Sequence, residues 1–200
     1  VIAWLNGRIL VGEGASQMKY QLKKGKNIWY SFKMELGEDL GAKYYDSELR
    51  EVDPFRIKNP VDAARVFFAY LKYLIIKYCT ENNISIDILY AVSIPASFEA
   101  NQRKDLLDAL MANDMKVSKQ ALIDEPNAAF ISYAVSRAAE DRPMFISPDY
   151  NSKVLVFDFG GGTCDISILE IGQSANGFFS KNIAISKFTK LGGDDIDRYI

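Results

Sequence analysis

The segment Val154 to Ile171, VLVFDFGGGTCDISILEI, constrains this chain more than any other. Val154 to Phe157 is a short apolar run, the pattern of a buried strand. Asp158 ends it, and Gly160, Gly161, Gly162 and Thr163 follow, with Asp165 beyond them. Ile166, Ile168 and Ile171 then recur among more polar positions, a rough alternation that predicts a second strand. The segment therefore reads as strand, glycine turn, strand. Consecutive glycines permit φ > 0 and leave no Cβ in the way. Backbone N–H groups can then converge on an anion, as in a phosphate-binding nest. Thr163 adds a hydroxyl. Asp158 and Asp165 bracket the turn, and carboxylates beside phosphates point to Mg²⁺, held directly or through its waters. A plain hairpin turn is the alternative, although a two-residue turn needs only one or two glycines. No lysine follows the glycines as in a Walker loop, and no helix follows as in a dinucleotide fingerprint.

The composition narrows the chemistry. There are no histidines, which removes Ser-His and Cys-His nucleophilic schemes and imidazole metal sites. Carboxylates, lysines and bound metal must carry any reaction. With 24 basic and 26 acidic residues the net charge is -2, which gives no electrostatic footprint for nucleic acid or an anionic membrane. The cysteines, Cys79 and Cys164, lie far apart without CxxC spacing. A reducing cytoplasm is the expectation, without a disulfide framework. No secretory signal is legible. The longest apolar run, around Val66 to Ile76, is broken by Lys72 and too short to span a bilayer. A chain of 200 residues, 48% hydrophobic, suits one large or two small domains. It opens inside what reads as a strand and stops just after a helix begins, so a fragment of a larger protein is expected.

Along the chain, Val1 to Leu5, Asn6-Gly7 and Arg8 to Gly12 form a strong hairpin signal. Gly12 to Lys26 is polar with room for a short helix, Asn27 to Gly37 is aromatic-rich and contains Lys33, and Gly41 to Lys58 is irregular. Asn59 and Pro60 open the clearest helix, with Asp62 near its positive end. Val61, Ala64, Phe68, Leu71, Ile75 and Tyr78 mark its expected core face, widened by Phe67 and Leu74. Ile86 to Ile94 reads as a strand stopped by Pro95. Glu99 to Met111 reads as a helix with Leu106, Leu107, Leu110 and Met111 inward. Val117 to Ile123 reads as a strand, and Glu125-Pro126 opens a helix to about Ala139 with Ala128, Ala129, Ile131, Ser132 and Val135 packing closely. Arg142 to Ser152 reads as a loop. A strand near Ile183 to Phe188 leads to Leu191-Gly192-Gly193-Asp194-Asp195, a second glycine corner opening a helix. The middle is thus β-α-β-α-β, an α/β arrangement with helices covering a mixed sheet. Ligands in such sheets sit beyond strand ends. Gly160, Glu125 and Gly192 all lie at such ends.

Taken together, these segments resemble the ATPase domain of the heat shock protein 70 chaperones, within the actin and sugar-kinase superfamily. VFDFGGGTCDISIL is similar to that family's second phosphate motif. VSIPASFEANQR is similar to the segment with its regulatory proline and arginine, here Pro95 and Arg103. LIDEPNAAFISYA is similar to the segment with the water-positioning acid, here Glu125. LGGDDID is similar to the glycine corner near the nucleotide, and FKMELG to the segment with the catalytic lysine, here Lys33. Matches are dense from Ala91 to Tyr133 and from Val154 to Asp197, and sparse before Asp87. Cys164 departs from the pattern, standing where the family has a bulky aromatic.

The resemblance implies an α/β fold of the actin-like ATPase (ribonuclease H-like) kind. It implies three parts: residues 1–86 as a peripheral lobe, 87–153 as an incomplete first core lobe, and 154–200 as the start of a second. ATP or ADP with Mg²⁺ would be the ligand. Asp158 and Asp165 would hold the Mg²⁺ water shell, and Gly160, Gly161, Gly162 and Thr163 would contact phosphates. Glu125 would orient or accept a proton from the attacking water, and Lys33 would stabilise charge on the transferring phosphoryl. Gly192 and Gly193 would line the nucleotide, and Pro95 and Arg103 would relay its state. Each has a plainer alternative: a hairpin cap, a helix-start acid, a solvated lysine, a chain turn, a strand stop, a surface arginine. The implied whole is an ATP-driven chaperone of the stress response with polypeptide clients and co-chaperones. The family's first phosphate loop is expected upstream of Val1 and its adenosine motif downstream of Ile200, so the 200 residues alone are expected to be inactive. A sugar kinase and a non-hydrolysing scaffold of the same fold are the rivals.

Overall fold

The computed structural model describes residues 1–40, 45–118, 121–140, 151–174, 177–187, 191–193 and 195–196. The loop expected from Arg142 lies, up to residue 150, outside them, as do Phe188, Asp194 and Asp197. The chain divides into two compact units, Val1–Tyr90 with Glu99–Val117, and Ala91–Phe98 with Ser118–Ile200.

In the first unit, β1 (Ile2–Leu5) and β2 (Arg8–Val11) pair antiparallel with Leu5 opposite Arg8. Asn6 and Gly7 both take positive φ, 50° and 75°, as a two-residue turn matched to strand twist requires. β3 (Ile28–Trp29) pairs with the other edge of β1. Successive strand residues point to opposite faces, and both faces are covered. Ile2 and Trp29 join one apolar cluster with Leu49, Ile57, Ala63 and Val66. Ala3 and Ile28 join another with Ala15 of the short helix α1 (Glu13–Ser16). A 3₁₀ turn spans Phe32–Glu35.

Helix α2 (Pro60–Glu81) starts where expected, because Asn59 accepts the Asp62 N–H at 2.8 Å and proline fits the first turn. Of its expected core face, Ala64 is buried and Val61, Phe67, Phe68, Leu71 and Ile75 are half-buried, so the face holds except at Leu74 and Tyr78. Pro60, Ala63, Ala64, Val66 and Cys79 are buried, whereas Leu74 and Tyr78 are exposed. The strand cluster takes in its first turns, through Ala63 and Val66, with Phe67 packed beside them. α3 (Ala100–Met111) buries Leu110 as expected, but Met111, its last residue, is exposed. The Asn113 amide just beyond it donates to the Arg65 carbonyl of α2 at 2.9 Å.

The second unit pairs β4 (Val92–Ile94) in parallel with β5 (Leu122–Asp124). Among the described residues both strands are shorter than expected. Ile86 and Leu89, read as strand, are exposed. Of the expected Val117 to Ile123 strand, residues 119 and 120 lie outside the described set. α4 (Glu125–Ala139) follows β5 without a gap. Ala129, Ile131, Ser132 and Val135, expected to pack, are exposed. Ala128 is covered as expected, together with Pro126, Asn127, Phe130, Ala134 and Arg137. That face includes Asn127 and Arg137, so an apolar period misses most of it. β6 (Ser152–Phe159), β7 (Cys164–Ser174) and β8 (Gly177–Ile185) form an antiparallel meander. Asp165, Ser167, Leu169 and Ile171 alternate inward on β7. The fold is thus α/β with parallel and antiparallel pairings, in keeping with the actin-like ATPase fold.

Candidate functional site

The β6–β7 hairpin ends in two rungs, Asp158 opposite Asp165 and Phe159 opposite Cys164. The Gly160 N–H closes the loop by donating to the Thr163 carbonyl at 2.9 Å. Gly160 and Gly161 do not use the positive φ that glycine permits. Close approach is the actual requirement, and it falls on the other glycine corner. A Cβ on Gly192 would lie 2.5 Å from the Gly161 carbonyl oxygen and 2.6 Å from Gly162 N. The Gly193 N–H donates to the Gly160 carbonyl at 3.0 Å. The two glycine segments, far apart in sequence, therefore dock backbone to backbone. The corner is also braced internally. The Gly192 N–H donates to Asp195 Oδ2 at 3.0 Å while the Asp195 N–H donates to the Gly192 carbonyl at 3.0 Å, the reciprocal pattern of a helix start. A Cβ on Gly161, by contrast, would meet nothing within 4 Å. The loop is held on one side and open at Gly161.

Paired residues on antiparallel strands share a sheet face, and like charges directly opposite repel. Asp158 is exposed, whereas Asp165 is only 8% exposed and accepts the Ser97 hydroxyl at 2.6 Å. Ser97 arrives from the turn after β4, where the Phe98 N–H donates to the carbonyl of buried Pro95 at 3.1 Å. Among the described residues no group of three or more Cys, Asp or Glu is set to hold a metal directly. Two hard carboxylates suit a Mg²⁺ ion that keeps most of its waters, and the open Gly161 leaves room for a phosphate beside them. The residues present fit Mg²⁺ and phosphate.

Glu125 begins α4, half-buried. Its neighbours are tied to β8: Asn182 Nδ2 donates to Asp124 Oδ2 at 2.8 Å, and the Ser180 hydroxyl to Asn127 Oδ1 at 2.8 Å. The helix start is thereby fixed to the sheet that carries the glycine loop. Lys33, exposed on the 3₁₀ turn, and Arg103, half-buried in α3, belong to the first unit. The second unit brings together Asp158, Asp165, Gly160, Gly161, Gly162, Thr163, Gly192 and Gly193. Ser97, Asn127 and Asn182 escape sequence reading, because a single polar residue at a strand or helix end has no period. The only signal for Ser97 is its place just after a strand-ending proline.

Among the described residues no helix is long and apolar enough to cross a membrane. The Hsp70 protein family model matches residues 1–200. A heat shock cognate HSP70 protein of Trypanosoma brucei brucei is 28% identical over 218 residues, covering 98% of this chain and 29% of the relative. The chain thus spans less than a third of that relative's length. With the family model matched from end to end and the glycine loop, its acids and the second glycine corner in place, the chain belongs to the Hsp70 family.

Proposed function

We propose that this chain is part of a nucleotide-binding domain that binds and hydrolyses Mg-ATP to drive peptide binding and release by a cytoplasmic chaperone. The observation that carries the reading is the docking of Gly192 and Gly193 on Gly160 to Gly162, with Asp158 and Asp165 in register at the base of the loop. Such a rigid loop with an open face suits a phosphate better than a turn alone requires. Bound Mg²⁺ would neutralise charge on the phosphoryl oxygens. Asp165, steadied by Ser97, and Asp158 would order its water shell. The loop N–H groups and Thr163 would hold phosphate oxygens. Glu125, on a helix start tied to β8, would orient the attacking water. Lys33 would offset charge on the transferring group. Pro95 and Arg103 would carry nucleotide state onward, and clients and co-chaperones would engage parts beyond these 200 residues. Residues 1–86, 87–153 and 154–200 would serve as the peripheral lobe, the first core lobe and the start of the second, and the chain alone would be inactive.

Asp158→Asn in the intact protein tests this reading. Asp158 is exposed, so folding should survive. Single-turnover hydrolysis should fall by about 100-fold or more if the carboxylate acts on transition-state charge. Unchanged hydrolysis would leave the hairpin a mere turn.

A further inference from the structure

The turn that carries Lys33 is fastened to α3 by a contact that none of the motifs foretells. Gly37 has φ +78°, and a Cβ there would lie 2.7 Å from Asn101 Nδ2 and 2.8 Å from Gln102 Cγ. Only glycine suits both the conformation and the space. Its N–H donates to Asp105 Oδ2 at 2.8 Å, and its carbonyl accepts Asn101 Nδ2 at 3.0 Å. Asn101 and Asp105 stand four residues apart, one above the other on the same helix face. Gly37, two residues beyond the 3₁₀ turn, is thus gripped at both of its backbone polar groups.

The turn itself is held as firmly. Ser31, just before it, takes φ 55°, a conformation a non-glycine residue keeps only when its surroundings impose it. Phe32 packs on Phe67 of α2 with ring centroids 6.2 Å apart. Glu35 accepts Lys24 Nζ at 2.6 Å and the Tyr45 hydroxyl. Leu36 is buried. The helix end that grips Gly37 is itself fixed, since the Glu99 N–H donates to Gln102 Oε1 at 2.9 Å. Arg103 lies within this same gripping segment, between Asn101 and Asp105.

We propose that Asn101 and Asp105 are positioning residues for Lys33. Their two-ended clamp on Gly37 makes the lysine turn and the Arg103 helix move as one body, so the lysine's placement follows that helix. This rests on the role proposed above for Lys33. The test uses the intact protein with Asp105→Ala, Asp105→Asn and Lys33→Met. It reads Gly37 amide hydrogen exchange, nucleotide affinity and single-turnover Mg-ATP hydrolysis. Asp105→Ala should speed Gly37 exchange by about tenfold, the worth of a hydrogen bond to a charged group. It should slow hydrolysis by about tenfold through a displaced lysine and leave nucleotide affinity within about twofold. Asp105→Asn, whose amide oxygen still accepts, should restore both exchange and hydrolysis. Unchanged Gly37 exchange in Asp105→Ala, or faster exchange with unchanged hydrolysis, overturns the proposal. Full turnover in Lys33→Met would sink the role of Lys33, and the positioning role with it, even where Gly37 exchange responds as expected.

Discussion

Replacing Gly192 by alanine should separate the two glycine segments. The new Cβ would sit 2.5 to 2.6 Å from Gly161 and Gly162 backbone atoms, none of which can rotate aside as a side chain would. Ordinary contact returns only if the corner backs off by roughly 1 Å. That lengthens the 3.0 Å bond from Gly193 N–H to the Gly160 carbonyl. Overpacking of this kind costs about 1–3 kcal/mol and a lost backbone hydrogen bond about 1 kcal/mol, so destabilisation of about 2–4 kcal/mol is expected. A displacement of 1 Å at a reacting centre can lower turnover by about 100-fold. Gly161→Ala is the matched control: its Cβ meets nothing and its φ is not left-handed, so stability should change by less than about 0.5 kcal/mol. It would, however, fill the space assigned to phosphate, so nucleotide affinity should fall. Calorimetric unfolding and nucleotide titration of the intact protein separate the two effects. The reasoning fails if Gly192→Ala is as stable as the parent, or if Gly161→Ala binds nucleotide unchanged.

Glu125→Gln should retain nucleotide but hydrolyse it about 100-fold more slowly; lost binding with normal turnover of what remains bound would mark a structural acid, and single-turnover kinetics decide. Tyr45 provides a pH test: burial, and then its bond to the Glu35 carboxylate, hold its hydroxyl protonated well above the ordinary tyrosine range. The folded state binds that proton more tightly, so the stabilisation is complete below the unfolded pKa near 10 and lost as pH rises above it. Stability should fall by about 1.4 kcal/mol per unit above pH ~10, and denaturant midpoints at pH 9 and 11 should show that part of the fall absent from Tyr45→Phe.

What the sequence discloses depends on how local the cause is. Asn6-Gly7 and Asn59-Pro60 act on their own backbone, and the hairpin and the start of α2 stand where those residues imply. Strand length is a property of pairs: β4 and β5 share three rungs, Val92 to Ile94 on Leu122 to Asp124, whereas the apolar run before β4 reads as a longer strand. The covered face of α4 carries Asn127 and Arg137 beside Ala128, so hydrophobic period finds Ala128 and misses the rest. At the site, residue types were legible and their cause was not. The glycines near Gly160 permit left-handed backbone, whereas the demanding position is Gly192, pressed against Gly161 from a distant part of the chain. Ser97, which fastens Asp165, is invisible to any pattern because its partner lies across the unit.

The central claim is that the glycine loop holds nucleotide phosphate. Labelling the intact protein with ¹⁵N-glycine and titrating Mg-ADP tests it directly, because the loop reports through its own amides. The account predicts that Gly160, Gly161, Gly162 and Gly193 resonances shift together along one saturation curve, while Gly7 in the β1–β2 turn supplies the internal reference. Loop amides that stay unmoved at saturating Mg-ADP would contradict it.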